Sequence, residues 1–204
     1  MSALQACFDI DAIDAEGCTP GVFDATWRAE ASLRPCNVGE VGSFLAAHYL
    51  RKRPAIVLLC LAMFHRDRPV GCIVFSAPPM QAEKRYGGKV WELSRLYLLD
   101  AMPRNSESWL IGKAIKYIKR NFREVTHLLS YADPSAGHRG TIYAASNWRL
   151  DGMTDDERKT PRCDYFAAST GQKYGRRGNV SIGIEVQRLP RASKFRFVFQ
   201  LRNA

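Results

Sequence analysis

The spacing of apolar and polar positions along the chain changes several times, and each change marks an element. Val38 to Leu50 sets Val38, Val41, Leu45 and Tyr49 at helical spacing; the Arg51-Lys52-Arg53-Pro54 that follows closes this helix with cations and a proline. Ala55–His65 and Val70–Ala77 are β-rich apolar runs joined by a short charged turn with Pro69, the pattern of a hairpin. Pro78–Gly88 reads as a polar loop and Val90–Asp100 as a third strand. From Asn105 or Ser106, either of which suits a cap, the period becomes helical. Ile111, Ile115, Ile118 and Phe122 line one face, and Lys113, Lys116, Lys119, Arg120 and Arg123 line the other. Val125–Tyr131 is a fourth strand running into Asp133-Pro134, and Gly137–Asn147 a short helix. Trp148–Met153 and Tyr165–Ser169 suit strands, Asp155–Asp164 and Gly171–Gly178 suit loops, and Lys194–Leu201 alternates as a final strand. Residues 1–35 have weak periodicity and predict an irregular arm.

This order predicts an α/β fold, a mixed central sheet flanked by helices, as one domain over 36–204 with a basic C-terminal segment. At 204 residues, 46% of them hydrophobic, the chain can bury a core, which excludes a disordered or fibrous reading. No apolar run approaches the roughly 18 residues of a membrane helix. The N-terminus is acidic, unlike a secretory signal or a transit peptide. The six cysteines form no CxxC pair, so they read as reduced thiols in a cytoplasm.

The formal charge of +10 is unevenly spread. Residues 1–157 hold 19 bases and 18 acids; residues 158–204 hold 11 bases and two acids. A local basic surface of that kind points to a polyanion, nucleic acid first. Arg139, Arg176, Arg177, Arg188, Arg191 and Lys194 are the candidate phosphate contacts, with a solvated basic face as the plainer alternative. Phe195, Phe197 and Phe199 alternate as a core face does.

Three stretches carry candidate chemistry. At Pro103–Ser108 a strand gives way to a helix, whose free backbone N–H groups suit an anion; Arg104 adds a charge, and Ser106 and Ser108 add hydroxyls. The same residues also make an ordinary cap. At Ser130-Tyr131-Ala132-Asp133-Pro134 a carboxylate stands at a strand end, placed for proton acceptance, and Tyr143 follows on the next helix. In Trp91–Tyr97 strict alternation puts Glu92 and Ser94 on one face and Arg95 on the other, where Asp133 is a candidate partner. His48-Tyr49 stands near a helix end, and His48 has no companion at metal-ligand spacing.

The strand, Arg-containing loop, helix, strand, and helix with Tyr143 four residues before Asn147-Trp148 resemble the GNAT acyltransferase superfamily. That superfamily has small residues where this loop has Glu107 and Trp109. More specifically, ELSRLYLLDAMPRNSESWLIGKAIKYIKR, SYADPSAGHRGTIYAASNW and RLPRASKFRFVF resemble the phage Mom DNA-modification family, itself GNAT-like. The resemblance implies an enzyme of the host cytoplasm that converts adenine in DNA to its carbamoylmethyl derivative on the exocyclic amine, protecting phage DNA from restriction. It implies Arg95, Ser108, Asp133, Tyr143 and Tyr49 as site residues. The donor, acetyl-CoA or a related acyl or aminoacyl donor, is expected on Arg104, Asn105, Ser106 and Ser108, with Leu96 beside them; a redox metal is left open. Double-stranded DNA is the expected partner, with the base flipped and Tyr49, Trp109 or Trp148 stacking on it. A non-catalytic DNA-binding protein on the same scaffold and a conventional N-acetyltransferase are the rival readings.

Overall fold

The computed structural model describes residues 26–156, 158–160, 162–175 and 177–202. They fall into two compact units. One contains the residues up to Ser130, Thr141–Arg149 and Val198 onward; the other contains Tyr131–Gly140 and Leu150–Phe197.

The first unit holds α1 (Trp27–Glu30), β1 (Ala31–Pro35), α2 (Gly42–Ala47), β2 (Val57–His65), β3 (Arg68–Ser76) and α3 (Ala82–Tyr86). It continues with β4 (Lys89–Leu98), α4 (Ser106–Asn121), most of β5 (Val125–Ala132), α5 (Thr141–Ala144) and the end of β10 (Phe195–Gln200). Its strands run in the order β1-β2-β3-β4-β5-β10. The first four pair antiparallel, and β4 pairs with β5 in parallel. This is the predicted mixed sheet with helices. Leu59–Phe64 and Val70, Cys72–Phe75 are buried without alternation, which is why the sequence reads as unbroken apolar runs there. Arg66 and Asp67 turn the β2–β3 hairpin with φ of 47° and 64°, the left-handed pair that a two-residue turn requires. A side chain at Gly71 would lie 2.2 Å from the Tyr97 carbonyl oxygen, so only glycine lets β3 approach β4 there.

Helix α4 packs its Leu110, Ile111, Ala114, Ile115 and Ile118 face away from water, as its period predicts. Each of the larger side chains contributes about 1.5–3 kcal/mol by burial. Two expectations are corrected. Residues 31–35, expected in an irregular arm, form an edge strand paired with Leu61–His65, because a short edge strand needs little periodicity of its own. The helix expected over Val38–Leu50 is only Gly42–Ala47, ending at a His48 cap.

The second unit holds β7 (Cys163–Ala167) between β8 (Gln172–Tyr174) and β9 (Gln187–Pro190), a three-stranded sheet, together with most of β6 (Arg149–Met153) and the start of β10. Strands β8 and β9 escape the sequence because they are polar and short. Gly137 and Gly140, with φ of 78° and 80°, break up the helix expected over 137–147. A side chain at Gly140 would enter the Phe197 ring at 2.2 Å. What remains is a 3-10 turn at Pro134–Ala136 and the four residues of α5.

Candidate functional site

Strands β4 and β5 pair from Lys89↔Val125 to Glu92↔Leu129 and no further, although both continue. Beyond Glu92 the two backbones part, and the polar side chains of the first unit collect there. Ser130 reaches across: its Oγ donates to the Leu93 carbonyl at 2.8 Å and lies 2.7 Å from the Tyr143 phenol oxygen. A hydroxyl has one proton, so with that proton on Leu93 it is Tyr143 that donates to Ser130. Burial pushes the Tyr143 phenol up to about 12, against the lowering effect of Ser130 and with a further push from Tyr49 and Glu92. Tyr143 therefore stays a proton donor through the alkaline range.

A bulge brings in the next residue. Val74 pairs with Arg95 and Phe75 with Leu93, so Ser94 is the extra residue of β4, its Oγ bonded to the Val74 carbonyl at 3.2 Å. Glu92 pairs with Ser76, hence Glu92 and Arg95 lie on one face. Strict alternation predicts opposite faces; the bulge reverses that. Arg95 Nε donates to the Lys52 carbonyl at 2.9 Å and Nη1 to the Ser94 carbonyl at 2.6 Å. Burial lowers its guanidinium pKa, while Tyr49 and Glu92 oppose the change. Tyr49, Glu92, Arg95, Ser130 and Tyr143 thus form one electrostatically linked cluster. Tyr49 is 46% exposed, its ring 4.6 Å from that of His48, which is itself buried and accepts from Leu50 N–H at 3.2 Å.

The start of α4 is the second feature. Asn105 takes a left-handed φ of 70° and its side chain makes no cap bond. The Ser106 hydroxyl, which is buried, is turned to the Pro103 carbonyl, and the Ser108 hydroxyl to the Asn105 carbonyl at 3.0 Å. Both serines, expected to face a donor, satisfy the chain's own backbone instead. An anion there would meet exposed Arg104 and the backbone N–H groups of the first turn, with Glu107 in the same turn working against it. Leu96 is half-buried on β4, opposite Ile73.

Two stacking candidates are otherwise engaged. Trp109 packs on Trp27 at 5.2 Å, with Lys113 over its ring at 5.0 Å. Trp148 is buried between Tyr143 and Phe199, at 5.4 and 5.9 Å, and its indole N–H is buried without a partner. It is a packing residue with one buried donor left unpaired. Tyr49 alone of the three is exposed.

In the second unit Asp133 closes the strand end as predicted. Its Oδ1 accepts from Ser135 N–H at 3.0 Å and from the Ser135 hydroxyl; its Oδ2 pairs with Lys194 at 3.0 Å. Burial raises its pKa, but Ser135 and Lys194 outweigh burial and hold the carboxyl below its usual range. The pairing expected between Asp133 and Arg95 is therefore replaced by two separate arrangements, Asp133 with Lys194 and Arg95 with backbone carbonyls. Arg191 grips Asp164 together with Lys173, so Arg191 and Lys194, expected at phosphates, serve ion pairs of this unit. Arg139, Arg177 and Arg188 are exposed, whereas Arg176 lies outside the described residues. Among the described residues no group of three or more His, Cys, Asp or Glu could hold a metal ion. No described helix is long and apolar enough to cross a membrane.

The sequence does not single out Glu92 and Ser130 as site residues. The signal for Ser130 is its place one residue before Tyr131-Ala132-Asp133 at a strand end; for Glu92 there is none without the bulge.

The fold is that of the GNAT acetyltransferases. The chain superposes on a GNAT family acetyltransferase from Elizabethkingia anophelis with acetyl-CoA bound, at TM-score 0.51 and 12% identity over 84% of this chain and 98% of that one. A Bacillus subtilis acetyltransferase in complex with CoA matches as well, with TM-score 0.51 and 12% identity over 84% and 97%. Within that fold, residues 43–204 match the model of the Mom protein family, and the chain belongs to it. A methylcarbamoylase of Escherichia phage Mu is 44% identical over 61 residues, which are 30% of this chain and a quarter of that protein's length.

Proposed function

We propose that this chain is a transferase that modifies adenine in phage DNA at the exocyclic amine, giving the carbamoylmethyl derivative that protects the DNA from restriction in the host cytoplasm. The observation that carries the reading is the Tyr143–Ser130–Leu93 hydrogen-bond chain, set where β4 and β5 part, in a chain of the Mom family.

The exocyclic nitrogen of adenine is a weak nucleophile, because its lone pair is shared with the ring. As it bonds to carbon, one of its protons must leave, and the donor's leaving group must take a proton up. Tyr143 is suited to supply that second proton, since it is neutral and half-buried, and its O–H would turn from Ser130 to the leaving group as the proton moves. Arg95, fixed by two carbonyls, supplies positive charge for an anionic group of the donor. Glu92 shares its face and offers a carboxylate to the leaving proton. Asp133, whose carboxylate holds a low proton affinity, is proposed as a hydrogen-bond acceptor and not as a group that keeps the proton. Its role is tested by its own variant.

The donor is proposed to be of the coenzyme A thioester class, since acetyl-CoA is bound in one structural neighbour and CoA in another. Transfer of its acyl carbon, with the thiolate leaving as a thiol, forms an amide on the adenine nitrogen, so a second reactant must complete the carbamoylmethyl group. Arg104 and the first-turn backbone of α4, at Asn105 to Ser108, would hold its pyrophosphate; when bound it would supply an activated carbon. The substrate is double-stranded DNA with the adenine flipped out, Tyr49 stacking on it and Arg177 and Arg188 meeting phosphates.

The test is mass spectrometry of nucleosides from plasmid DNA co-expressed with the chain. A carbamoylmethyl adenine is expected with the wild type, and its loss with Asp133→Ala. Soluble wild-type protein with unmodified adenine would overturn the reading. Modified adenine with Asp133→Ala would remove Asp133 from it.

A further inference from the structure

The segment between α2 and β2 supplies Tyr49 and the Lys52 carbonyl to the cluster. It carries three cations in a row, Arg51, Lys52 and Arg53, all exposed. Among the described residues none of the three takes part in an ion pair. A solvated charge run needs no fixed backbone, but this one is fixed along its length. Arg51 N–H bonds to the His48 carbonyl at 2.8 Å, and Arg51 itself holds a left-handed φ of 47°, uncommon for a residue with a side chain. Arg95 of the cluster clamps the Lys52 carbonyl at 2.9 Å. The Arg53 guanidinium lies over Gly42, where a side chain would come within 3.1 Å of it. At the far end Ala77 N–H bonds to the Ile56 carbonyl at 3.0 Å.

The same short segment also presents Tyr49, whose phenol acts electrostatically on both Tyr143 and Arg95. One anchored loop therefore offers an exposed ring beside the reacting cluster and three cations directly after it. A flipped nucleotide presents that combination in reverse, a π-face flanked by phosphates on both sides. A free base or a small amine would have no use for three cations outside the cluster.

We propose that Tyr49–Arg53 is the substrate-recognition loop. Arg51, Lys52 and Arg53 grip the phosphates of duplex DNA flanking the target adenine, and Arg95 ties the loop to the site through the Lys52 carbonyl. This deepens the DNA-modification reading and rests on it. The tether runs through backbone, so replacing the three side chains leaves it in place.

The experiment measures binding of the full chain to an adenine-containing duplex across a salt series, for wild type and for an R51A/K52A/R53A variant, with R177A/R188A as a comparison. Circular dichroism and thermal melting establish that each variant is folded; should the triple variant not fold, the three single variants replace it. Each phosphate contact contributes about 0.9 to the slope of log affinity against log salt, so the triple variant loses about 2.7 from its slope and about 100-fold in affinity near physiological salt. Its yield of modified adenine falls with it. A wild type that binds duplex DNA with a triple variant of unchanged slope overturns the loop's role. A wild type with no salt-dependent binding to duplex DNA overturns the underlying reading instead.

Discussion

The two units handle charge differently. In the second, Asp133, Asp151, Asp155 and Asp164 each hold one or two bases: Lys194, Arg196, Arg162, and Arg191 with Lys173. The first has pairs too, Arg34–Asp67, Arg66–Glu30 and Lys89–Glu83, but its Arg51–Arg53 and the outer face of α4, with Lys113, Lys116, Arg120 and Arg123, are in no ion pair among the described residues. Counted by unit the sums also change. The second has 11 bases and 7 acids; the first has 19 bases and 8 acids once residues 1–25, with five acids and no base, are set apart. The near neutrality of residues 1–157 thus comes from a cationic first unit offset in part by the five acids of residues 1–25 and in part by acids of the second unit, Asp133 and residues 151–157. The basic C-terminal segment spends much of its charge inside its own unit. Net charge along the sequence locates polyanion binding poorly when the neutralising carboxylates lie tens of residues away.

Substitutions in each unit put this contrast at risk. The largest effect is expected at the cluster: Tyr143→Phe should lower the yield of modified adenine by about 10² to 10⁴, the usual scale for loss of a proton donor. Packing comes next. Ile118→Ala empties a site in the buried face of α4 and should cost about 2–5 kcal/mol of stability by denaturant unfolding. Asp164→Ala strands two cations in the second unit and should cost about 1–3 kcal/mol, with little change in the salt slope of DNA binding. Arg188→Ala should do the opposite, removing about 0.9 from that slope while leaving stability unchanged. If Asp164→Ala and Arg188→Ala behaved alike, the division between structural and phosphate-binding cations would be wrong.

The smallest expected effects are on pH dependence. Asp133 has a depressed pKa, so its ionised form stabilises the fold above the ordinary carboxylate range, and that contribution is lost as pH falls through its lowered value. Asp133→Asn should therefore be less stable than wild type at pH 7, with the gap closing in acid. Tyr143 has a raised pKa, so between about 10 and 12 the unfolded chain loses a proton that the folded chain keeps, and stability falls. Tyr143→Phe should show a shallower decline over that window.

Much of the architecture is legible in the sequence because it depends on period. The β2 and β3 runs, the α4 stripe and the Val125 strand all announce themselves, and the mixed sheet follows from their order. Strand β1 and strands β8 and β9 do not, since short edge strands take their stability from a neighbour. Within the site, Arg95 and Tyr143 are legible as residue types in place, but their partners are not. The bulge at Ser94 decides that Arg95 shares a face with Glu92, and no pattern in Trp91–Tyr97 signals it. Ser106 and Ser108 look like ligand hydroxyls in sequence, yet serve nearby carbonyls, because a helix start must satisfy its own loop first.

The role of Tyr143 in adenine modification is decided by the amount of modified adenine in DNA from cells expressing wild-type chain or Tyr143→Phe at matched soluble levels. A mass-shifted adenine nucleoside is expected with wild type, and a loss of about a hundredfold or more with the variant. Equal amounts from the two would contradict that role.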